Sequence, residues 1–204
     1  MQKHYFHLGL LGLVGVSAGL TLNSAQADIR VYAGVGLGEL SKKDDTDKKK
    51  PSGLDAKLAA NVDVLSPVPG LSIYAGPEFL TGTYTRDTTI LNSVAKETIN
   101  KSALGLNAGV HFGMVPLVTF QGELNYATAM GGEVKVEALG KTSTLKTKSG
   151  SDLGGTLRAL ITPFPLLRAG VEYNLGSGNS KYEGNDEEVK YDYSAIRAVI
   201  GISL

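Results

Sequence analysis

Apolar and polar residues alternate along eight separate segments of this 204-residue chain. A period of two places successive side chains on opposite faces of an extended backbone, so the pattern predicts eight β-strands. In LDAKLAANVDV, Ala56, Leu58, Ala60, Val62 and Val64 share one face, and Asp55, Lys57, Asn61 and Asp63 share the other. The first strand sets Ile29, Val31, Ala33, Val35 and Leu37 against Arg30, Tyr32, Gly34, Gly36 and Gly38. The fourth sets Leu104, Leu106, Ala108, Val110 and Phe112 against Gly105, Asn107, Gly109, His111 and Gly113. Val118, Phe120, Leu124 and Tyr126 oppose Thr119, Gln121, Glu123 and Asn125 in the fifth. Leu167, Ala169, Val171, Tyr173 and Leu175 oppose Arg168, Gly170, Glu172 and Asn174 in the seventh. The third (LSIYAGPEF), sixth (LGGTLRALI) and eighth (SAIRAVIGISL) alternate less regularly, because Leu160 and Val199 fall among the polar set.

The connections alternate in length. Three are short and contain proline, at 66–70, 113–116 and 162–165, and four long polar ones lie near 41–53, 81–101, 128–151 and 176–190. Such alternation fits an up-and-down antiparallel barrel with both ends of the chain on the short-turn side. A similar string follows each short turn (PGLSIYAGPEFL, PLVTFQGELNY, PLLRAGVEYNL), so the repeating unit is one hairpin. Pro77 is an extra residue in its copy, and a bulge or irregularity is expected there because proline cannot donate to a ladder. GGEVKVEALGKTSTLKTKSG, turning near 139–141, predicts that strands five and six continue as a protruding hairpin.

Alternation alone leaves open which face is inside, since a soluble carrier barrel shows the same period. The charges decide for a polar interior. Arg30, Lys57, Glu78, Glu123, Arg158, Arg168, Glu172 and Arg197 carry both signs and all lie on the polar parity. An enclosed set of this kind must pair, because a lone buried ion is very costly. Lys57 is expected opposite Glu78, Arg158 near Glu172, and the three acids Glu78, Glu123 and Glu172 at similar heights. Glycine concentrates on the same face, leaving room for long side chains in a narrow barrel. Phe79, Phe112, Phe120, Tyr126 and Tyr173 lie on the apolar face toward strand ends, as an interfacial girdle requires.

Composition narrows the class. Mean hydropathy is close to zero, as alternating strands require, and no later stretch is long and apolar enough for a membrane helix. Cysteine is absent, which removes disulfides, thiolate metal sites and cysteine nucleophiles. Lys3 followed by LGLLGLVGVSAGLTL, then small residues at Ala25 and Ala27, predicts a signal peptide over 1–27 with cleavage before Asp28. The leader holds Lys3 and no acid, so the remainder carries one cation fewer than its 20 acids and has no basic excess for nucleic acid.

With these features together, residues 28–204 resemble the OmpA/OmpX-type family of small eight-stranded outer-membrane barrels, the barrel-only OmpX-like members most. Ile196, Ala198, Ile200, Ile202 and Leu204 resemble the terminal strand that the outer-membrane assembly machinery reads. The resemblance implies an all-β, eight-stranded antiparallel transmembrane barrel in the bacterial outer membrane. It also implies contact with outer-membrane lipid and lipopolysaccharide, and a surface ligand reached through the loops. The reading is non-enzymatic, a structural envelope role or surface interaction, with no catalytic residue, cofactor or metal. Asp44, Asp45 and Asp47 lie among lysines, which disfavours calcium, and His111 has no serine beside it on its strand face. The alternatives are a small pore, a lipid-modifying enzyme and a soluble periplasmic carrier.

Overall fold

The computed structural model describes residues 28–43, 49–90, 93–115 and 117–204. The leader, with Ala25 and Ala27, and the aspartates of the first long connection lie outside them. Eight antiparallel strands follow in chain order: β1 (Ile29–Lys42), β2 (Ser52–Val68), β3 (Leu71–Ile90), β4 (Ser93–Val115), β5 (Val118–Ala138), β6 (Lys141–Phe164), β7 (Leu167–Tyr182) and β8 (Asn185–Ser203). Each pairs with its neighbours in sequence, and β8 pairs with β1, so the barrel is closed. At the seam the Ile29 amide donates to the Leu204 carbonyl at 3.2 Å, and the Leu204 amide returns the bond at 2.8 Å. Closure leaves no sheet edge within the wall.

The wall is inside out over its turn-side half. Val35, Leu37, Leu106, Leu124, Leu153, Leu157 and Ile196 are all more than half exposed on the outer surface. Arg30, Lys57, Glu78, Glu123, Arg158, Glu172 and Arg197 are at most 5 % exposed within the lumen. The two residues that break the sixth and eighth patterns have a role. Leu160 and Val199 pack on the Tyr32 ring as a small apolar cluster inside the barrel. Interior glycines make this space: a Cβ on Gly201 would run into that same ring.

Three of the four long polar segments are ladder: the β5–β6 one is the protruding hairpin that the sequence predicts, and the β3–β4 and β7–β8 ones stand where loops are expected. β4, β5 and β6 run for 23, 21 and 24 residues, whereas about 9–11 suffice to cross a bilayer. β3 pairs β4 up to Ile90↔Ser93, β5 pairs β6 up to Ala138↔Lys141, and β7 meets β8 at Tyr182↔Asn185. The β5–β6 turn is tight, with Leu139 and Gly140 at φ of 51° and 73°, the left-handed pair that matches strand twist. Above the apolar belt the two faces exchange character. Thr81, Thr83, Lys96, Glu137, Lys181 and Asp192 point outward, while Leu40, Tyr84, Ile99, Val134 and Tyr191 form an enclosed apolar cluster. Out here the barrel obeys the rule of a water-soluble protein.

Pro77 breaks pairing without causing a bulge. The β2–β3 ladder passes from Ala59↔Glu78 to Val62↔Ala75 in unchanged register, while Pro77 stays aligned with Leu106 on β4. The missing N–H costs ladder contacts on one side only. The true register shifts of β2 fall nearer the turn, between Asp63 and Leu65 and between Leu65 and Val68.

Candidate functional site: an ion-paired lumen

The charged interior forms one continuous chain of alternating sign. Glu78 meets Lys57 at 2.8 Å, and Lys57 also pairs with Glu123. Arg158 joins Glu123 at 3.6 Å to Glu172 at 2.7 Å. Arg197 then links Glu172, at 2.6 Å, to Asp55. The chain begins on β3, passes through β2, β5, β6, β7 and β8, and returns to β2, so it circles the lumen.

Four carboxylates against three cations need further donors, and neutral side chains supply them. Tyr74 donates to Glu123 at 3.1 Å, Asn125 to Glu78 at 3.0 Å, and Tyr84 to Asp55. Arg158 gives both Nε (2.9 Å) and Nη2 (2.7 Å) to one Glu172 oxygen and Nη1 to Gln121 at 2.5 Å. Its guanidinium also lies 4.7 Å from the centre of the Tyr32 ring. Charge-assisted bonds of this kind are the strong ones, and the network withstands burial because nearly every member has several partners.

Lys57 and Glu78 are not direct partners across the hairpin. Lys57 faces Leu80 and Glu78 faces Ala59, so the ion pair is diagonal, displaced by the two shifts near the turn. Arg158 and Glu172 are directly opposite, as are Glu172 and Arg197. Arg30 stands apart from the chain, at the turn-side end, where it pairs with Asp63 and donates to Ser72 at 3.2 Å and to His111 Nδ1 at 3.1 Å. Arg168 joins neither group by a hydrogen bond or ion pair, and its Nε and Nη1 are buried without an acceptor.

Asp55 and Asp63 are members that the list of candidate charges lacked. Both lie on the same parity as Lys57, and that parity was the available signal. A second tier nearer the outer end was hidden inside the supposed loops. There Lys42 and Arg86 share Glu97 at 2.5 and 2.6 Å, and Lys101 pairs with Asp152 at 2.5 Å beneath the Tyr191 ring. The apolar cluster beside them leaves a cavity of about 30 Å³, room for about one or two water molecules.

Ser72 on β3 stands opposite His111 in the ladder, and Arg30 donates to both. The His111 Nδ1 accepts from Arg30 and, at 3.2 Å, from Gln121, so that nitrogen carries no proton. Among the described residues no cluster of three or more His, Cys, Asp or Glu could hold a metal ion.

No family model and no curated protein matches the sequence. Solved structures do. The chain is similar to Ail, the attachment invasion locus protein of Yersinia pestis, at 14 % identity and a TM-score of 0.45, over 87 % of this chain and 99 % of that one. Neisserial surface protein A gives 12 % identity and a TM-score of 0.48, over 85 % and 96 %. The outer membrane protease OmpT of Escherichia coli gives 9 % and 0.49, over 91 % and 99 %. These likenesses are of barrel shape and divide between surface proteins and an enzyme.

Proposed function

We propose that this protein is a non-enzymatic barrel of the bacterial outer membrane, exported by the leader 1–27, which is removed before Asp28. In this role it reinforces the envelope and holds a rigid sheet at the cell surface for interaction with an extracellular partner. One observation carries the membrane reading: the wall is apolar outside and ionic inside over its turn-side half, and it reverts to polar outside beyond that. A soluble carrier needs the opposite arrangement throughout. Lipid and lipopolysaccharide are the surroundings that such a belt requires.

The surface role rests on the outer ends of the strands. β7 stops pairing with β6 at Thr147, so Lys141–Lys146 of β6 has no ladder partner on that side apart from the Glu183 amide, which donates to the Lys146 carbonyl at 2.8 Å. All six of these residues are exposed. Free backbone donors and acceptors on an extended strand are a template for strand addition.

The pore reading is disfavoured by the ion chain, whose paired side chains run around the lumen. Purified protein in planar bilayers should show no steady conductance, and stable channels would overturn the structural role. Localisation is tested by unheated gel electrophoresis of outer-membrane fractions. A heat-modifiable band whose N-terminal residue is Asp28 is expected, and a band confined to the soluble periplasm would refute the proposal. Removing the tip of the β5–β6 hairpin should leave that band unchanged while lowering adhesion of expressing cells to host surfaces.

A further inference from the structure

We propose that the turn-side mouth of the lumen binds one small oxyanion of the phosphate class between Arg168, Arg30 and Ser203. These residues converge across the seam. Ser203 on β8 is the register partner of Arg30 on β1. Arg168 on β7 faces Gly201, two positions from Ser203 on the same inner face. Arg30 and Arg168 thus flank β8 from its two sides, two residues apart along its inner face.

Donors at this mouth lack partners. The acids near this mouth are Asp63, which pairs with Arg30, and Asp28, whose carbonyl accepts from the Asp63 amide at 3.2 Å; Arg168 has no ion pair with either, and His111 offers only a nitrogen that two donors already use. Arg168 Nε and Nη1, Arg30 Nε and the Ser203 hydroxyl are all buried without a partner. Buried polar groups are almost always satisfied, and an unpaired cationic donor is the costliest exception. The unpartnered amides elsewhere in the lumen, Asn61 and Asn107, each lack partners for a donor and an acceptor alike and favour no charge. Among the described residues, buried cationic donors without a partner occur only at this mouth, where one carboxylate oxygen, Asp63 Oδ1, is also unpartnered. A tetrahedral oxyanion offers several acceptors, which suits guanidinium forks and a hydroxyl. Arg168, Asp63, His111 and Ser203 are partly exposed, so the mouth is open to solute. An ion held there would link β7, β8 and β1 where the barrel closes.

The phosphate group could arrive free or on a lipid headgroup, and the experiment separates these sources. Full-length mature protein is folded in neutral maltoside micelles at constant ionic strength. One arm adds inorganic phosphate, and the other dopes the micelles with phosphatidylglycerol. Bound oxyanion should raise the melting temperature and slow phenylglyoxal modification of Arg168, read by peptide mass. Arg168→Gln should weaken apparent phosphate affinity by about tenfold or more, in line with losing hydrogen bonds to a charged group. Arg168→Lys should recover part of it. A response to doped micelles alone assigns the headgroup as the source. Equal melting shifts in wild type and Arg168→Gln would overturn the site. So would an Arg168 modification rate that neither arm slows, and this measurement stands on wild type even if the variant does not fold.

Discussion

Lys57 and Glu123 form a buried ion pair although no ladder joins β2 to β5. Only closure of the barrel brings them together across the lumen. Removing Glu123 therefore strands two cations at once, since Arg158 also leans on it. Glu123→Ala should destabilise the folded barrel by about 3–5 kcal/mol, the cost of breaking a buried pair, measured by urea unfolding in micelles. The double variant Lys57→Ala, Glu123→Ala should lose less than the sum of the singles. Strict additivity would show that the two residues act independently.

The outer wall makes the reverse prediction. Leu124 is 72 % exposed in the middle of the apolar belt. Leu124→Arg should cost about 2–4 kcal/mol in lipid, as a cation does near the bilayer midplane. Thr144→Arg, on the outer surface of the protruding hairpin, should change stability little. Matched refolding into vesicles compares them, and equal costs would place the bilayer elsewhere.

Gly109 tests how full the lumen is. A Cβ there would stand 2.3 Å from the Gly122 carbonyl oxygen and 2.8 Å from both the Tyr74 hydroxyl and the Glu123 Cβ. Gly109→Val should therefore push the β4 and β5 backbones apart, displace Tyr74 from Glu123 and cost about 1–3 kcal/mol or more, the usual range for overpacking. A variant that melts like wild type would reveal unused space.

On the protruding hairpin, Glu133 accepts hydrogen bonds from Lys135 (2.8 Å) and Asn100 (3.1 Å), which hold its carboxyl below the usual carboxylate range. A depressed acid stabilises the fold above its unfolded pKa, and that contribution fades as pH falls through the lower folded value. Amide protection in 133–146 should thus weaken on acidification before the barrel itself unfolds, and Glu133→Gln should remove the pH dependence. Exchange measured across acidic pH decides it.

Period and parity by themselves determined the strand number, the short turns at the proline side, and the inward face of the charged residues. These follow from local physics: alternation is fixed by the backbone, and each strand carries its own copy of the signal. The same reading foresaw that strands five and six run on into a protruding hairpin, because Val134 and Val136 keep the alternation going there, but it took 81–101 and 176–190 for loops, whose polar outward positions show no apolar stripe. The tertiary structure decided that those two segments also continue the ladder and that polarity inverts above the belt. Solvent explains why. Within lipid the outer side chains must be apolar, whereas in water the same barrel must enclose its apolar residues, so one strand follows two opposite rules along its length. Partners such as Lys57 with Glu123, and Arg197 with Asp55, likewise depend on ring closure and on the stagger of β2, neither of which a linear pattern records.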